Sequence, residues 1–155
     1  MSGIINSAGS RSGVIGTTEI DYEEGTWTPS LTFSTTTNCT YTTREGSYVK
    51  IGELVFASLR ITLLNKVTSD GVLSVNMPFT SHANAGSYGS GVLGFANNWT
   101  TTGGTLTYNR LLTLDPSSSA MYIRGHNTTG DYFSFSEGDL EDNGDMVISI
   151  SYRTA

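Results

Sequence analysis

From Thr26 to Phe33 the chain alternates without a break: Trp27, Pro29, Leu31 and Phe33 fall on one side, Thr26, Thr28, Ser30 and Thr32 on the other. A period of two with one apolar side predicts a strand buried on one face and wet on the other. Pro29 has no N–H to give to a ladder, so this strand is expected at a sheet edge or to begin outside the sheet. The longest alternation is Leu54 to Leu64, where Val55, Ala57, Leu59, Ile61 and Leu63 share a side and are expected in the core. The opposite side holds Phe56, Ser58, Arg60 and Thr62 between Leu54 and Leu64. Leu54, Phe56 and Leu64 need a second cover that a lone chain does not offer, and burial across a threefold axis would supply it.

Shorter runs follow the same rule. Tyr41 to Thr43 reads as a short strand before a turn at Glu45-Gly46, Val72 to Met77 as a further strand, and Gly91 to Phe95 and Leu106 to Leu114 as others. Met121 and Ile123 alternate with Tyr122 and Arg124; Tyr132 to Phe135 returns the chain; Met146, Ile148, Ile150 and Tyr152 form a closing strand. Between them, Ser81 to Gly91 and Asn97 to Gly104 are too rich in small and polar residues to pack, and Asp115-Pro116-Ser117-Ser118-Ser119 has turn chemistry. No stretch keeps helical spacing over three turns. Many short β-branched and aromatic runs separated by turn residues predict an all-β fold, an antiparallel β-sandwich of jelly-roll type over residues 26–155. Residues 1–25 read as an extended arm, whose two aliphatic pairs, Ile4-Ile5 and Val14-Ile15, sit among glycines and would pin it to a neighbouring subunit or another protein.

Charge and cysteine content narrow the partners. The formal charge is -6, with acids grouped at Glu19 to Glu24 and Glu137 to Asp145, while the basic residues are dispersed. Such a surface releases few counterions from a phosphate backbone, so nucleic acid is not an expected partner. Cys39 is the single cysteine, which rules out an intrachain disulfide and leaves stability to packing and association. Neither a signal-peptide pattern nor a membrane-length apolar run is present, so a product made in a cytoplasm, without membrane insertion, is expected.

Catalytic chemistry has little to stand on. His82 and His126 are the only imidazoles, no Gly-x-Ser-x-Gly elbow enters a helix, and no cofactor motif occurs. The acids cluster in stretches expected to be exposed instead of interrupting core strands, which argues against a glycan-cleaving carboxylate pair. Asp139, Glu141, Asp142 and Asp145 offer hard oxygen ligands around two glycines, yet their spacing departs from the twelve-residue calcium loop; the reading is a solvated acidic loop, with calcium as the alternative to test. Trp99, flanked by Asn97 and Asn98, and Tyr88 in the preceding loop are the candidate contacts for a sugar, since aromatic faces framed by amide groups suit glycans.

The run Tyr22-Glu23-Glu24-Gly25-Thr26-Trp27-Thr28-Pro29, followed by a Thr-rich segment and Gly46-Ser47-Tyr48-Val49-Lys50-Ile51-Gly52-Glu53-Leu54-Val55, resembles the small β-domains at the distal ends of bacteriophage tail fibres and tail-tip proteins. The resemblance covers roughly residues 21–80 by motif. It implies a trimeric, non-enzymatic virion component used in host attachment, made in the bacterial cytoplasm and released by lysis. In such proteins the domain follows a long fibrous shaft, whereas here it begins almost at Met1. That departure keeps a capsid or virion decoration protein as the alternative, with a tailspike-like enzyme third. Within the motif, Gly25 is expected to let the chain turn and Trp27 to begin the buried face.

Overall fold

The computed structural model describes residues 21–34, 38–66, 71–99, 106–127 and 130–155. The fold is all-β and antiparallel. Its strands are β1 (Tyr22–Trp27), β2 (Leu31–Phe33), β3 (Thr40–Ile51), β4 (Leu54–Asn65), β5 (Leu73–Asn76), β6 (Gly89–Asn97), β7 (Leu106–Leu114), β8 (Ala120–Asn127), β9 (Tyr132–Ser134) and β10 (Asp145–Arg153). Glu137–Asp139 adds one 3-10 turn. The strands join in a single sheet, in the order β1-β3-β4-β10-β6-β7-β8-β5-β2, with β9 paired to β8. The sheet curls into a half-barrel, so the layers facing each other across the core belong to one hydrogen-bonded sheet.

The alternation from Thr26 to Phe33, expected as one edge strand, is two strands at opposite edges of that sheet. Thr28 to Ser30 crosses the gap between β1 and β2, and Pro29, buried in the crossing, breaks the ladder where it lacks an N–H. Alternation continues across the break because both strands turn the same face inward. Side chains then tie the edges together. The Trp27 indole N–H donates to the Asn76 carbonyl at 3.1 Å, the Asn76 amide oxygen accepts the Ser30 N–H at 2.5 Å, and Tyr41 Oη accepts the Leu31 N–H at 2.8 Å.

β3 also differs from expectation, since Glu45-Gly46 lies in mid-strand. Gly46 is paired with Trp27 and Gly25 with Tyr48; a β-carbon on Gly46 would meet the indole ring at 2.6 Å, and one on Gly25 would meet the Tyr48 hydroxyl at 2.6 Å and its ring at 2.8 Å. The two glycines are thus seats for aromatic rings, and Gly25 does not turn the chain. Residues 22–25 belong to an edge strand paired with β3. The true turn between β3 and β4 comes at Gly52, with φ 57°, whose N–H bonds to the Asp21 carbonyl.

The core lines the concave side. Val55, Ala57, Leu59, Ile61 and Leu63 of β4 are all buried, as are Met146, Ile148, Ile150 and Tyr152 of β10. β10 is flanked by β4 and β6, which makes it a central strand. Leu31, Phe33, Leu73, Val75, Met121 and Ile123 meet them from the other half of the sheet. Phe79 stacks edge-on against Tyr48 at 4.9 Å, and its backbone N–H and carbonyl bond the Tyr152 hydroxyl, closing one end.

Candidate functional site

The convex face of β1, β3, β4, β10 and β6 carries side chains that alternation turned away from the core. Cross-strand pairing arranges them in rows. Thr26, Ser47, Ser58, Ser149 and Val92 form one row across five strands; Glu24, Val49, Phe56, Ser151 and Ser90 form the next; Glu45, Arg60, Val147 and Phe95 lie on the other side. The hydroxyl row is low because its side chains are short, and a trough of about 890 Å³ opens over it between Phe56 and Val92. A second hollow of about 740 Å³, lined by Thr28, Glu45 and Arg60, shares Thr26, Ser47 and Ser58 with the first. Leu54, Phe56 and Leu64 are 43%, 49% and 49% exposed. They are joined on this face by two residues that the sequence reading did not single out, Val92 and Phe95. Simple alternation puts Phe95 opposite to Val92. A bulge changes that: Leu93 pairs Ile148 and Phe95 pairs Val147, leaving Gly94 unmatched, so both apolar side chains face outward.

The sugar-contact candidates are not brought together. Tyr88 precedes β6 and Asn97, Asn98 and Trp99 end or follow it, so they lie about 30 Å apart at opposite ends of the strand. Tyr88 is 61% exposed and lies at the end where Ser90 pairs Ser151, the same end as Asp21 and the Gly52 turn. Trp99 lies at the far end but is half-buried. Its ring stands edge-on to Phe135 at 5.5 Å and beneath the Arg110 guanidinium at 5.3 Å, while its buried N–H has no partner among the described residues. Burial holds the Arg110 pKa below the usual guanidinium range. Asn97 remains exposed, and the Asn98 side-chain amide donates to the Asn143 carbonyl at 3.2 Å, fixing Asn98 to the acidic loop.

That loop is held by its own carboxylates. Asp139 is buried and accepts the N–H and hydroxyl of Ser136 at 2.8 and 3.0 Å; Asp142 accepts the Lys66 N–H at 2.8 Å; Glu141 is 3.7 Å from the Lys66 ammonium. Asp145 lies on β10 and accepts Arg60 Nη2 at 2.7 Å and Thr62 Oγ1 at 3.2 Å. The four acids are therefore spread over Ser136, Lys66, Arg60 and Thr62, and among the described residues no three acidic, histidine or cysteine side chains group to hold a metal. Other carboxylates are engaged likewise: Glu23 accepts Tyr48 Oη at 2.6 Å, Glu24 accepts Tyr22 Oη at 2.8 Å, and Glu53 pairs with Arg153. The Tyr48 and Tyr22 hydroxyl pKa values are raised by those carboxylate bonds. Ile4, Ile5, Val14 and Ile15 lie outside the described residues.

The curled antiparallel sheet thus combines a broad outer trough with carboxylates that bond partners within the chain. The fold is similar to part of one solved structure, the Dettilon tailspike protein (gp208), with a TM-score of 0.67 at 14% identity. The match covers 85% of this chain and 24% of the tailspike chain, so this chain spans about a quarter of that protein's length. No protein-family model matches the chain, and no curated protein does.

Proposed function

We propose that this chain is a bacteriophage virion protein, a tail-fibre or tail-tip component that assembles as a homotrimer and attaches the particle to host-surface glycans. The observation that carries this reading is a fold shared with part of a phage tailspike over 85% of the chain, in a sequence that also has the Tyr22 to Pro29 entry motif. The trimer draws on Leu54, Phe56 and Leu64, exposed along one strand of a single chain. Opposition of β2, β5 and β8 to β4 and β10 across the core supports a jelly-roll-like closure. Ile4, Ile5, Val14 and Ile15 serve as anchors to other virion proteins.

Adhesion without catalysis is favoured by the carboxylates, most of which hold the fold through Arg, Lys, Ser or Tyr partners. The glycan contact falls at the end remote from Asp21, where Asn97, Asn98 and Trp99 adjoin the acidic loop. Tyr88 is on the wrong end to share it. Binding of the full chain to a host-glycan array tests this. Asn97→Ala is expected to lower binding several-fold, and so is Trp99→Ala in protein that still melts cooperatively, whereas Tyr88→Ala leaves it unchanged. A trimer that binds no host glycan and does not block phage adsorption moves the reading to a decoration protein.

A further inference from the structure

We infer that copies of this chain pack on one another through the whole outer face of β1, β3, β4, β10 and β6, with the hydroxyl-floored trough at its centre and Phe56, Val92 and Phe95 as buried contacts. The inference rests on the homotrimer reading and extends it from a stripe along β4 to five strands.

Three observations favour a second copy as the occupant. The first is area. Five strands about 4.8 Å apart, each giving about seven residues at about 3.3 Å, make a face of roughly 550 Å² in projection. That clears the roughly 500 Å² per partner that a specific interface needs, and side-chain relief adds to it.

The second is the distribution of charge. Side chains at the centre are Ser and Thr with Val49, Phe56 and Val92, while Glu24, Glu45, Arg60 and Arg153 stand around them. A centre free of ions with a charged rim is the usual anatomy of a protein interface. Two of the rim charges are moreover matched inside the chain, where Arg60 holds Asp145 and Arg153 holds Glu53, and Glu24 accepts the Tyr22 hydroxyl.

The third is the cost of drying the floor. Ser47 Oγ and Ser58 Oγ are 3.2 Å apart and bond each other, so these hydroxyls keep a partner when water leaves. Short side chains there also let the neighbour approach closely. Val92 at 66% exposed and Phe95 at 50% are large apolar groups that a single chain leaves in water. A face that offers both the ridges and the trough can pack on its own kind around a symmetry axis.

The test is the mass of the full chain in solution, by sedimentation, for the wild type and for Phe56→Asp, Ser58→Arg and Val92→Asp, each checked for an unchanged far-ultraviolet circular dichroism spectrum. The expected result is a wild-type trimer that all three variants dissociate, weakening association at least tenfold. A wild-type monomer overturns both the trimer reading and this inference. A trimer broken by Phe56→Asp but left intact by Ser58→Arg and Val92→Asp overturns the inference alone and returns the contact to β4. If Ser58→Arg does not fold, Ser58→Cys reads the same contact by thiol alkylation: protection in the trimer supports the inference, and full reactivity overturns it.

Discussion

The Trp27 indole lies across Gly46, its partner on the neighbouring strand, so closely that a β-carbon on Gly46 would sit 2.6 Å from the ring. Covering a strand glycine with a cross-strand aromatic returns the packing that the missing side chain gives up. The same arrangement runs the other way two residues on, where Tyr48 covers Gly25. Together they fix the register of β1 on β3, and with it the first row of the outer trough.

Gly46→Ala is therefore expected to destabilise the protein by about 1–3 kcal/mol, the cost of forcing the indole off its seat. Gly86→Ala is the control, because nothing lies within 4 Å of a β-carbon there. Urea unfolding checks both; equal midpoints for the two variants would refute the role given to Gly46.

Asp145 makes stability depend on acid. Its carboxyl pKa is lowered by the hydrogen bond from Arg60, with Thr62 adding to it and burial working against both. A carboxyl depressed in the folded state contributes fully above its unfolded pKa of about 3.9 and loses that contribution as pH falls through the folded value. Melting temperature should drop on acidification below about pH 4. Asp145→Asn should lower it at neutral pH and flatten the acid limb. An acid limb as steep in Asp145→Asn as in the wild type would place the effect elsewhere.

At the alkaline end Tyr152 is the sensitive group. Burial pushes its hydroxyl up to about 12, against the opposing pull of its bond to Phe79. A folded pKa above the unfolded value of about 10 means that stability is whole below pH 10 and declines as pH rises towards 12. Tyrosinate absorbance should show Tyr152 ionising late, towards pH 12. Tyr152→Phe should remove that step while costing about 1–3 kcal/mol at neutral pH, since the Phe79 backbone groups lose their partner.

Calcium or a chelator is expected to leave the melting temperature unchanged. Asp139, Asp142 and Asp145 already accept bonds from Ser136, Lys66 and Arg60, and gathering them on one ion would break all three. A rise of several degrees with calcium would reinstate the acidic loop as a metal site.

Sequence alone determined the class and the inner face. Period-two alternation reports which side of a strand meets the core, so Val55 to Leu63 and Met146 to Tyr152 were legible, as was the exposure of Leu54, Phe56 and Leu64. It reports nothing about which strands are neighbours. The alternation through Pro29 therefore read as one strand where the fold has two, at opposite edges and tied by Asn76. Glu45-Gly46 read as a turn for a related reason: a glycine's role is set by what lies over it, and Trp27 is nineteen positions away in the chain.

Only the tertiary structure decided the outer face. Thr26, Ser47, Ser58 and Ser149 are unremarkable hydroxyls until pairing sets them in one row, and Phe95 would count as a core residue but for the bulge at Gly94. Tyr88 and Trp99 look like neighbours in sequence, yet an extended strand moves about 3.3 Å per residue and carries them to opposite ends. Faces follow from local period, whereas sites follow from register, bulges and strand order, which are settled by contacts between residues far apart in the chain.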